Sequence, residues 1–161
     1  MRIDMELTSA IVRTAFLVVD LHASAARRHG MSAQQAQLLC VVGSCLPTMG
    51  EAGSLMRIEK SSLSGLVQRA ELAGLVERER DGGDGRTQRL KLTAHGNVCA
   101  KAFKAAVVHD LCQILETLSE DDKTSLSTIL PQIVAARDTR QWAAAPLPDA
   151  GHDEAALDRA G

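Results

Sequence analysis

The sequence predicts a mainly α-helical protein with one small β-hairpin, and three observations lead to this fold class. Aromatic residues make up 2% of the 161 residues and apolar residues 45%, so an aliphatic core typical of packed helices is expected. Most apolar residues recur every three or four positions. Two short segments of alternating polarity flank the glycine-rich sequence 81–86, a pattern that predicts a hairpin.

The first two predicted helices begin and end at recognisable signals. Helical spacing of apolar residues over 8–29 indicates a long amphipathic helix that Gly30 ends. Ser32 precedes Gln35 by three residues, which is the spacing of a capping box. This box opens a strongly apolar helix that ends at Pro47, and we expect that helix to be central to the core.

A short helix, a polar-faced helix and the hairpin follow. The short helix is predicted over 49–57, where two glycines leave its bounds uncertain. Over 59–73 the apolar residues fall on one helical face and small polar residues on the other. Gly74 ends this helix, and strands are predicted over 75–80 and 87–92.

Two long helices complete the predicted fold. We expect one over about 94–118, opened by Thr93 as its N-cap, and another over about 120–138. Like the first helix, both carry apolar stripes too extensive for a small hairpin domain to cover alone. The chain then becomes rich in Ala, Pro and Asp, which predicts a single domain over 1–142 and a disordered tail over 143–161.

Charge is distributed unevenly along the chain. The net charge is −2, but residues 57–91 carry eight basic and six acidic side chains, so this segment is +2 and the remainder is −4. Binding to phosphate depends on the local field rather than on the total charge. The segment 57–91 is therefore compatible with nucleic acid, although the helix faces of many soluble proteins carry similar charges.

The location is predicted from apolar runs and cysteine spacing. No apolar run approaches the roughly 18 residues that span a bilayer, and residues 1–7 carry three charged side chains, unlike a cleavable signal. Cys40, Cys45, Cys99 and Cys112 form no CxxC pair. We therefore expect a cytoplasmic protein without a membrane partner, in which these thiols are reduced.

The order of the predicted elements is that of a winged helix-turn-helix. Three motifs in this order resemble the MarR family of transcription regulators. Residues 58–78 are similar to its recognition helix and first wing strand, Asp81-x-x-Asp84-x-Arg86 to its wing signature, and Leu92-Thr93-x-x-Gly96 to the opening of its next helix. The resemblance covers about residues 5–140 and implies a winged helix-turn-helix over about 33–92, flanked by N- and C-terminal dimerisation helices.

The candidate DNA-binding residues lie on the polar face of the helix 59–73 and in the hairpin tip. They are Lys60, Ser61, Ser62, Ser64, Gly65, Gln68, Arg69, Asp84 and Arg86. Small hydroxyl residues at the start of a helix let its backbone approach DNA, and Gln68 can pair with adenine through two hydrogen bonds. Gly65 on the same face permits close approach. A merely solvated helix face is the alternative for these residues.

The resemblance implies a role for the hairpin tip. Arg86 would enter the minor groove, where the enhanced negative potential attracts a guanidinium, and Asp84 would orient it. The alternative is an ordinary turn in which Asp and Gly serve the backbone geometry.

The resemblance further implies a homodimer that binds double-stranded DNA at a palindromic operator. Relatives are usually repressors that a small-molecule effector releases, and no cofactor is expected. The apolar stripes favour the same dimer, because a symmetric dimer buries them and sets two recognition helices about one DNA turn apart, roughly 34–36 Å. A monomer whose terminal helices pack on one another is the alternative.

Four other functions compete with this interpretation. An enzyme is not expected, because the sequence shows no nucleophile with a base, metal set or phosphate loop. His109 and Cys112 are spaced to chelate zinc with His22 or His29, but zinc sensors of the family carry a Glu-His pair where this chain has Ala36-Gln37. Sensing of peroxide by a thiol is disfavoured because residues 1–39 contain no Cys. A helical module that binds another protein remains an alternative.

Overall fold

The structure is a computed structural model that describes residues 4–80 and 88–136. Within these ranges the elements are α1 (Met5–Arg28), α2 (Ala33–Cys45), α3 (Met49–Met56), α4 (Lys60–Leu72), β1 (Val76–Arg80), β2 (Gln88–Leu92), α5 (Ala94–Leu115) and α6 (Glu120–Ala136). The predicted fold class, mainly helical with one hairpin, is confirmed.

The helices begin at the caps that the sequence indicates. At the start of α2 the Gln35 amide donates to Ser32 Oγ at 3.1 Å, and the Ser32 amide donates to Gln35 Oε1 at 2.9 Å. At α5 the Gly96 amide donates to Thr93 Oγ1 at 2.9 Å. Such caps satisfy backbone donors that have no partner inside the helix, and each stabilises it by about 1 kcal/mol.

The helix ends follow from backbone conformation. Gly30 after α1 and Gly74 after α4 have φ values of +70° and +66°, a region that glycine enters without steric cost. Helix α2 ends differently, because Leu46 itself adopts a φ of 46° directly before Pro47. The α conformation is disfavoured for a residue that precedes proline, so α2 cannot continue through this position.

Strands β1 and β2 form an antiparallel hairpin that is fixed to the α2–α3 connection. Their register runs from the pair Val76 and Leu92 to the pair Arg80 and Gln88. The Leu90 amide donates to the carbonyl of Pro47 at 2.8 Å, next to a bridge between Thr48 and Arg89. The tip, residues 81–87, lies outside the described residues, and so do the predicted site residues Asp84 and Arg86.

The core lies in the part of the chain formed by α2, α3, α4, β1 and β2, which we call the central lobe. Its largest fully buried side chains include Leu38, Leu39, Val42, Leu63, Leu66, Val67 and Leu90. Helix α5 adds Phe103 and Val107, and the end of α1 adds Leu21, Ala25 and Ala26. These apolar side chains are the main source of stability, since each contributes about 1.5–3 kcal/mol when fully buried.

The first half of α1 and all of α6 lie outside this core. Phe16 on α1 is 71% exposed, and Leu130 and Ile133 on α6 are each 52% exposed. Of the α6 residues whose burial is described, none is buried. The protomer therefore presents two apolar helix faces that its own described residues leave uncovered.

Helix α1 corrects one sequence-based expectation. By length and composition it is apolar enough to cross a membrane, whereas no such segment was expected. One such helix is weak evidence, because core helices and signal sequences pass the same test. Its C-terminal third packs in the core through Leu21, Ala25 and Ala26, and it carries Asp20.

Candidate nucleic-acid interface

Helix α4 separates an apolar face from a polar one. Leu63, Leu66, Val67 and Ala70 are buried in the central lobe. The predicted site residues on the other face are exposed, except Gly65, which is partly exposed; they are Lys60, Ser61, Ser62, Ser64, Gln68 and Arg69. Because the four buried residues anchor the helix, its polar face is held at the surface as a rigid unit.

The N-terminus of α4 is open in a way that the sequence analysis missed. Glu59 stands at the N-cap position and makes no side-chain hydrogen bond to the first turn, whereas Ser32, Thr48 and Thr93 cap α2, α3 and α5. Backbone amides of an uncapped first turn can donate to a phosphate. The absence of Ser, Thr, Asp or Asn before Lys60 is the sequence signal for this feature.

Two polar side chains of α4 interact with their own helix. Ser64 Oγ donates to the carbonyl of Lys60 at 2.9 Å, so its oxygen remains able to accept a hydrogen bond. A Cβ added at Gly65 would lie 3.4 Å from Arg69 Nη1, which shows that the guanidinium lies along the helix beside Gly65. Gly65 thus makes room for Arg69 in addition to the close approach predicted for it.

Ion pairs engage several basic residues of the hairpin. Arg78 Nε lies 3.2 Å from Glu71 Oε1 on α4, and Lys91 Nζ lies 3.5 Å from Glu79 Oε2. Arg89 Nη1 lies 3.6 Å from Glu51 Oε2. Exposed pairs of this kind contribute about 0–1 kcal/mol each. These pairs balance part of the positive charge counted over 57–91.

Glu51 stands at the junction of the α2–α3 connection and the hairpin. The pKa of its carboxyl is lowered, first by the hydrogen bonds with Thr48 and also by the charge of Arg89. The pKa of the nearby Cys45 thiol is raised by burial and by the Glu51 charge, and burial also raises the pKa of Cys40. A raised pKa lowers the fraction of each thiol that is present as thiolate.

A close contact joins the central lobe to α5. Thr93 Oγ1 donates to the carbonyl of Gly74 at 2.5 Å, and a Cβ added at Gly96 would lie 1.8 Å from the carbonyl oxygen of Leu75. Only glycine fits at position 96 without a shift of backbone. Gly96 is part of the Leu92-Thr93-x-x-Gly96 motif, but the motif itself does not reveal this packing reason for the glycine.

The candidate zinc ligands are not brought together in the described residues. His109 and Cys112 are both exposed on α5. Across residues 4–80 and 88–136, no group of three or more His, Cys, Asp or Glu side chains could hold a metal ion. A different pair is in contact, since Cys99 Sγ lies 3.5 Å from His95 Nε2.

A groove of about 370 Å³ runs between α1 and α5. Its lining residues are Leu17, Asp20, Leu21, Ser24, Asp110, Gln113 and Ile114. An ion pair between Arg28 and Asp110 joins the same two helices. The groove is open and lies between two terminal helices.

Comparison with known proteins agrees with the fold. Residues 29–87, which span α2 to the hairpin, match the model of the MarR family. Over these residues the chain is similar to the MarR family. The resemblance inferred from the sequence motifs is therefore confirmed. Curated protein sequences give no significant match.

Solved MarR-type structures extend the likeness beyond the matched segment. MarR from E. coli in its apo form is 21% identical, with 83% of this chain and 98% of that chain covered and a TM-score of 0.68. RV1404 from Mycobacterium tuberculosis is 16% identical, with 86% and 97% covered and a TM-score of 0.73. A MepR mutant from S. aureus bound to an oligodeoxyribonucleotide is 15% identical, with 83% and 99% covered and a TM-score of 0.58. These likenesses show that the chain has the fold of the MarR family.

Proposed function

We propose that this protein is a dimeric transcription regulator that binds a specific double-stranded DNA sequence through α4 and the hairpin. The observation that carries the proposal is the exposed polar face of α4 with its uncapped first turn, held beside an antiparallel hairpin. A helix of this kind fits the major groove, where base edges can be distinguished. The MepR mutant of the same fold, bound to an oligodeoxyribonucleotide, supports the same use here.

Within this interface, different residues contact the phosphates, the base edges and the minor groove. The first turn of α4, with Lys60, Ser61 and Ser62, binds a phosphate or a base edge, and Gln68 reads a base one to two turns further along. Arg69 lies beside Gly65 and supplies positive charge. Arg86, oriented by Asp84, enters the minor groove; this part of the proposal rests on the sequence motif.

Dimerisation follows from the uncovered apolar helices. The exposed faces of α1 and α6, with Phe16, Leu130 and Ile133, are large enough that a second copy is the natural partner. A twofold axis relates the two copies of α4, so the operator is a palindrome with half-sites about one DNA turn apart, roughly 34–36 Å.

Regulation is proposed at the level of the family fold. The protein acts in the cytoplasm as a repressor that covers its operator, and a small organic effector releases it. An effector that binds between the helices can change the distance between the two copies of α4, and only a difference in affinity between the two arrangements shifts the equilibrium. Neither a metal nor a cofactor takes part in this proposal.

Selection of bound genomic fragments followed by a gel-shift assay tests the proposal. The wild-type protein should retain specific fragments, and Gln68→Ala should weaken binding to the selected site by about 1–3 kcal/mol. Gln34→Ala, which removes an exposed glutamine from α2, is the matched control and should bind like the wild type. A protein that retains no duplex DNA but captures another protein would be a helical interaction module instead.

A further inference from the structure

The side chain of Arg89 connects the hairpin with both helices of the α2–α3 corner. Arg89 lies on β2, where it pairs with Glu79 of β1. Its Nη1 donates to the carbonyl of Leu46 at 3.2 Å and lies 3.6 Å from Glu51 Oε2. Leu46 is the C-cap of α2, and Glu51 is in the first turn of α3. One guanidinium therefore contacts the end of one helix and the start of the next.

Glu51 is held in place before it meets Arg89. The Thr48 amide donates to Glu51 Oε2 at 2.7 Å, and the Glu51 amide donates to Thr48 Oγ1 at 3.3 Å. The carboxylate oxygen that faces Arg89 is thus the same oxygen that closes the capping box of α3. Because this box restricts the Glu51 side chain, the ion pair costs less conformational entropy than one between two flexible side chains.

The backbone of β2 is attached to the same α2–α3 corner. The Leu90 amide donates to the Pro47 carbonyl at 2.8 Å, and Thr48 forms a bridge with Arg89. In the described residues the hairpin has two strands. Its angle to the helices is therefore determined by these contacts, by the ion pair of Arg78 with Glu71 on α4 and by the packing of its buried face. Side chain and backbone together attach the hairpin to the corner immediately before α3, the helix that leads into α4.

We propose that Arg89 is a positioning residue for DNA binding, which holds the hairpin at a set angle to α4 through Glu51 and the Leu46 carbonyl. The proposal rests on the proposed function, because it assumes that α4 and the hairpin contact the same duplex. A binding surface made of two elements needs both in register, since a displacement of about 1 Å weakens contacts that depend on geometry. A direct contact between Arg89 and a phosphate is the competing explanation of any effect of its mutation.

The variant Glu51→Gln separates the two explanations. Glutamine closes a capping box as well as glutamate does, as Gln35 shows at the start of α2, so the variant removes the charge and keeps the cap. If Arg89 binds phosphate directly, removing a neighbouring carboxylate leaves the affinity for DNA unchanged or raises it. If Arg89 positions the hairpin, the affinity falls by about two- to fivefold, the equivalent of a surface ion pair.

Glu79→Gln is the matched control. It also removes one carboxylate from the neighbourhood of Arg89, because Glu79 lies opposite Arg89 in the strand register. The ion pair of Glu79, however, is with Lys91 inside the hairpin and not with a helix. Its affinity should equal or exceed that of the wild type. The double variant Glu51→Gln with Arg89→Met should bind no more weakly than Arg89→Met alone, because both changes break the same attachment.

Hydrogen exchange at the Leu90 amide provides a measurement that needs no DNA. Exchange should be about two- to fivefold faster in Glu51→Gln and in Arg89→Met, and unchanged in Glu79→Gln. Unchanged exchange in Glu51→Gln would show that the attachment does not hold the hairpin. Faster exchange with undiminished DNA affinity would overturn the positioning role alone. If the wild type binds no duplex, the proposed function fails, and exchange still reports on the attachment.

Discussion

The central lobe and the terminal helices bury their apolar residues to very different degrees. In the lobe, α2 and α4 place leucines such as Leu38 and Leu66 at 0–1% exposure. On α1, Phe16 is 71% exposed, and α6 has no described residue that is buried. Both regions are apolar in sequence, so composition does not explain the difference.

The difference separates two tasks within one chain. The lobe buries its apolar residues in its own core. Its surface is consequently polar and available to a ligand such as DNA. The terminal helices bury theirs at the end of α1 and in the middle of α5, and they leave the remainder uncovered in the protomer. The contact between Gly96 and Leu75 lies where the two regions meet.

The substitution Gly96→Ala should have the largest effect, because it breaks this junction. The new Cβ would lie 1.8 Å from the Leu75 carbonyl oxygen and 2.8 Å from its carbon, so backbone must move. We expect a loss of about 3 kcal/mol or more in the free energy of unfolding, measured by urea denaturation. Gly50→Ala is the matched control, because nothing lies within 4 Å of its Cβ position; it should stabilise the protein by about 0.4–1 kcal/mol. Equal effects of the two changes would show that the junction is not tight.

The substitution Phe16→Glu should separate the protomers. A charge in the centre of an apolar interface is desolvated without a partner, and loss of an aromatic anchor typically costs about 2–4 kcal/mol of association. Light scattering should give about twice 17.2 kDa for the wild type and a smaller mass for the variant at micromolar concentration. Leu72→Glu alters a residue that is 82% exposed on α4, and it should leave the mass unchanged. A monomeric wild type would show that the exposed apolar faces of the terminal helices do not bind a second copy.

The sequence predicts the lobe better than the regions around it, because the signals in the lobe are local. The Ser32 capping box, the Gly74 helix end and the period of α4 each depend on residues that are neighbours in the chain. The motif that ends with Gly96 is local as well. The packing reason for this glycine is not local, because the clash with Leu75 exists only once the start of α5 lies against the residue that precedes β1.

The candidate site shows the same division. The exposed residues of α4, from Lys60 to Arg69, follow from helical period alone. The attachment of Arg89 to Glu51 and to the Leu46 carbonyl joins residues about 40 positions apart and has no pattern that a sequence could display.

Arg86→Ala and Gln68→Ala should both weaken DNA binding, the first through loss of a charge and the second through loss of a neutral contact to a base. Loss of Arg86 removes a charge, so binding should weaken on all operator variants and the salt dependence should flatten by about one phosphate equivalent. Loss of the neutral Gln68 should leave the salt dependence unchanged and relax preference at one base pair, at a cost of about 1–3 kcal/mol there. Affinities over several salt concentrations on a small operator library measure both. If Arg86→Ala binds every sequence like the wild type, the Asp84 and Arg86 motif is ordinary turn chemistry.

The smallest effect is expected at His22, where α1 passes from its exposed half into the core. The ring of His22 stacks edge-on against Phe103 of α5, with centroids 5.5 Å apart and an interplanar angle of 84°. Partial burial lowers the pKa of His22, because desolvation disfavours the charged imidazolium. The unfolded chain, which titrates near the ordinary value of about 6.5, therefore takes up this proton at a higher pH than the folded chain does.

The sign of the pH effect on stability follows from this order of protonation. Above pH 6.5 the ring is neutral in both states and the protein keeps its full stability; as the pH falls through that value, the unfolded state gains the proton first and stability is lost. The melting temperature should therefore fall on acidification from pH 7.5, and His22→Gln should reduce that fall, whereas His109→Gln, at an exposed position on α5, should not. Because His22 is partly exposed, water screens the effect and we expect it to be small. An equal acid dependence in the wild type and in His22→Gln would mean that α1 does not hold this ring against Phe103, and that the packed part of α1 begins closer to its C-terminus.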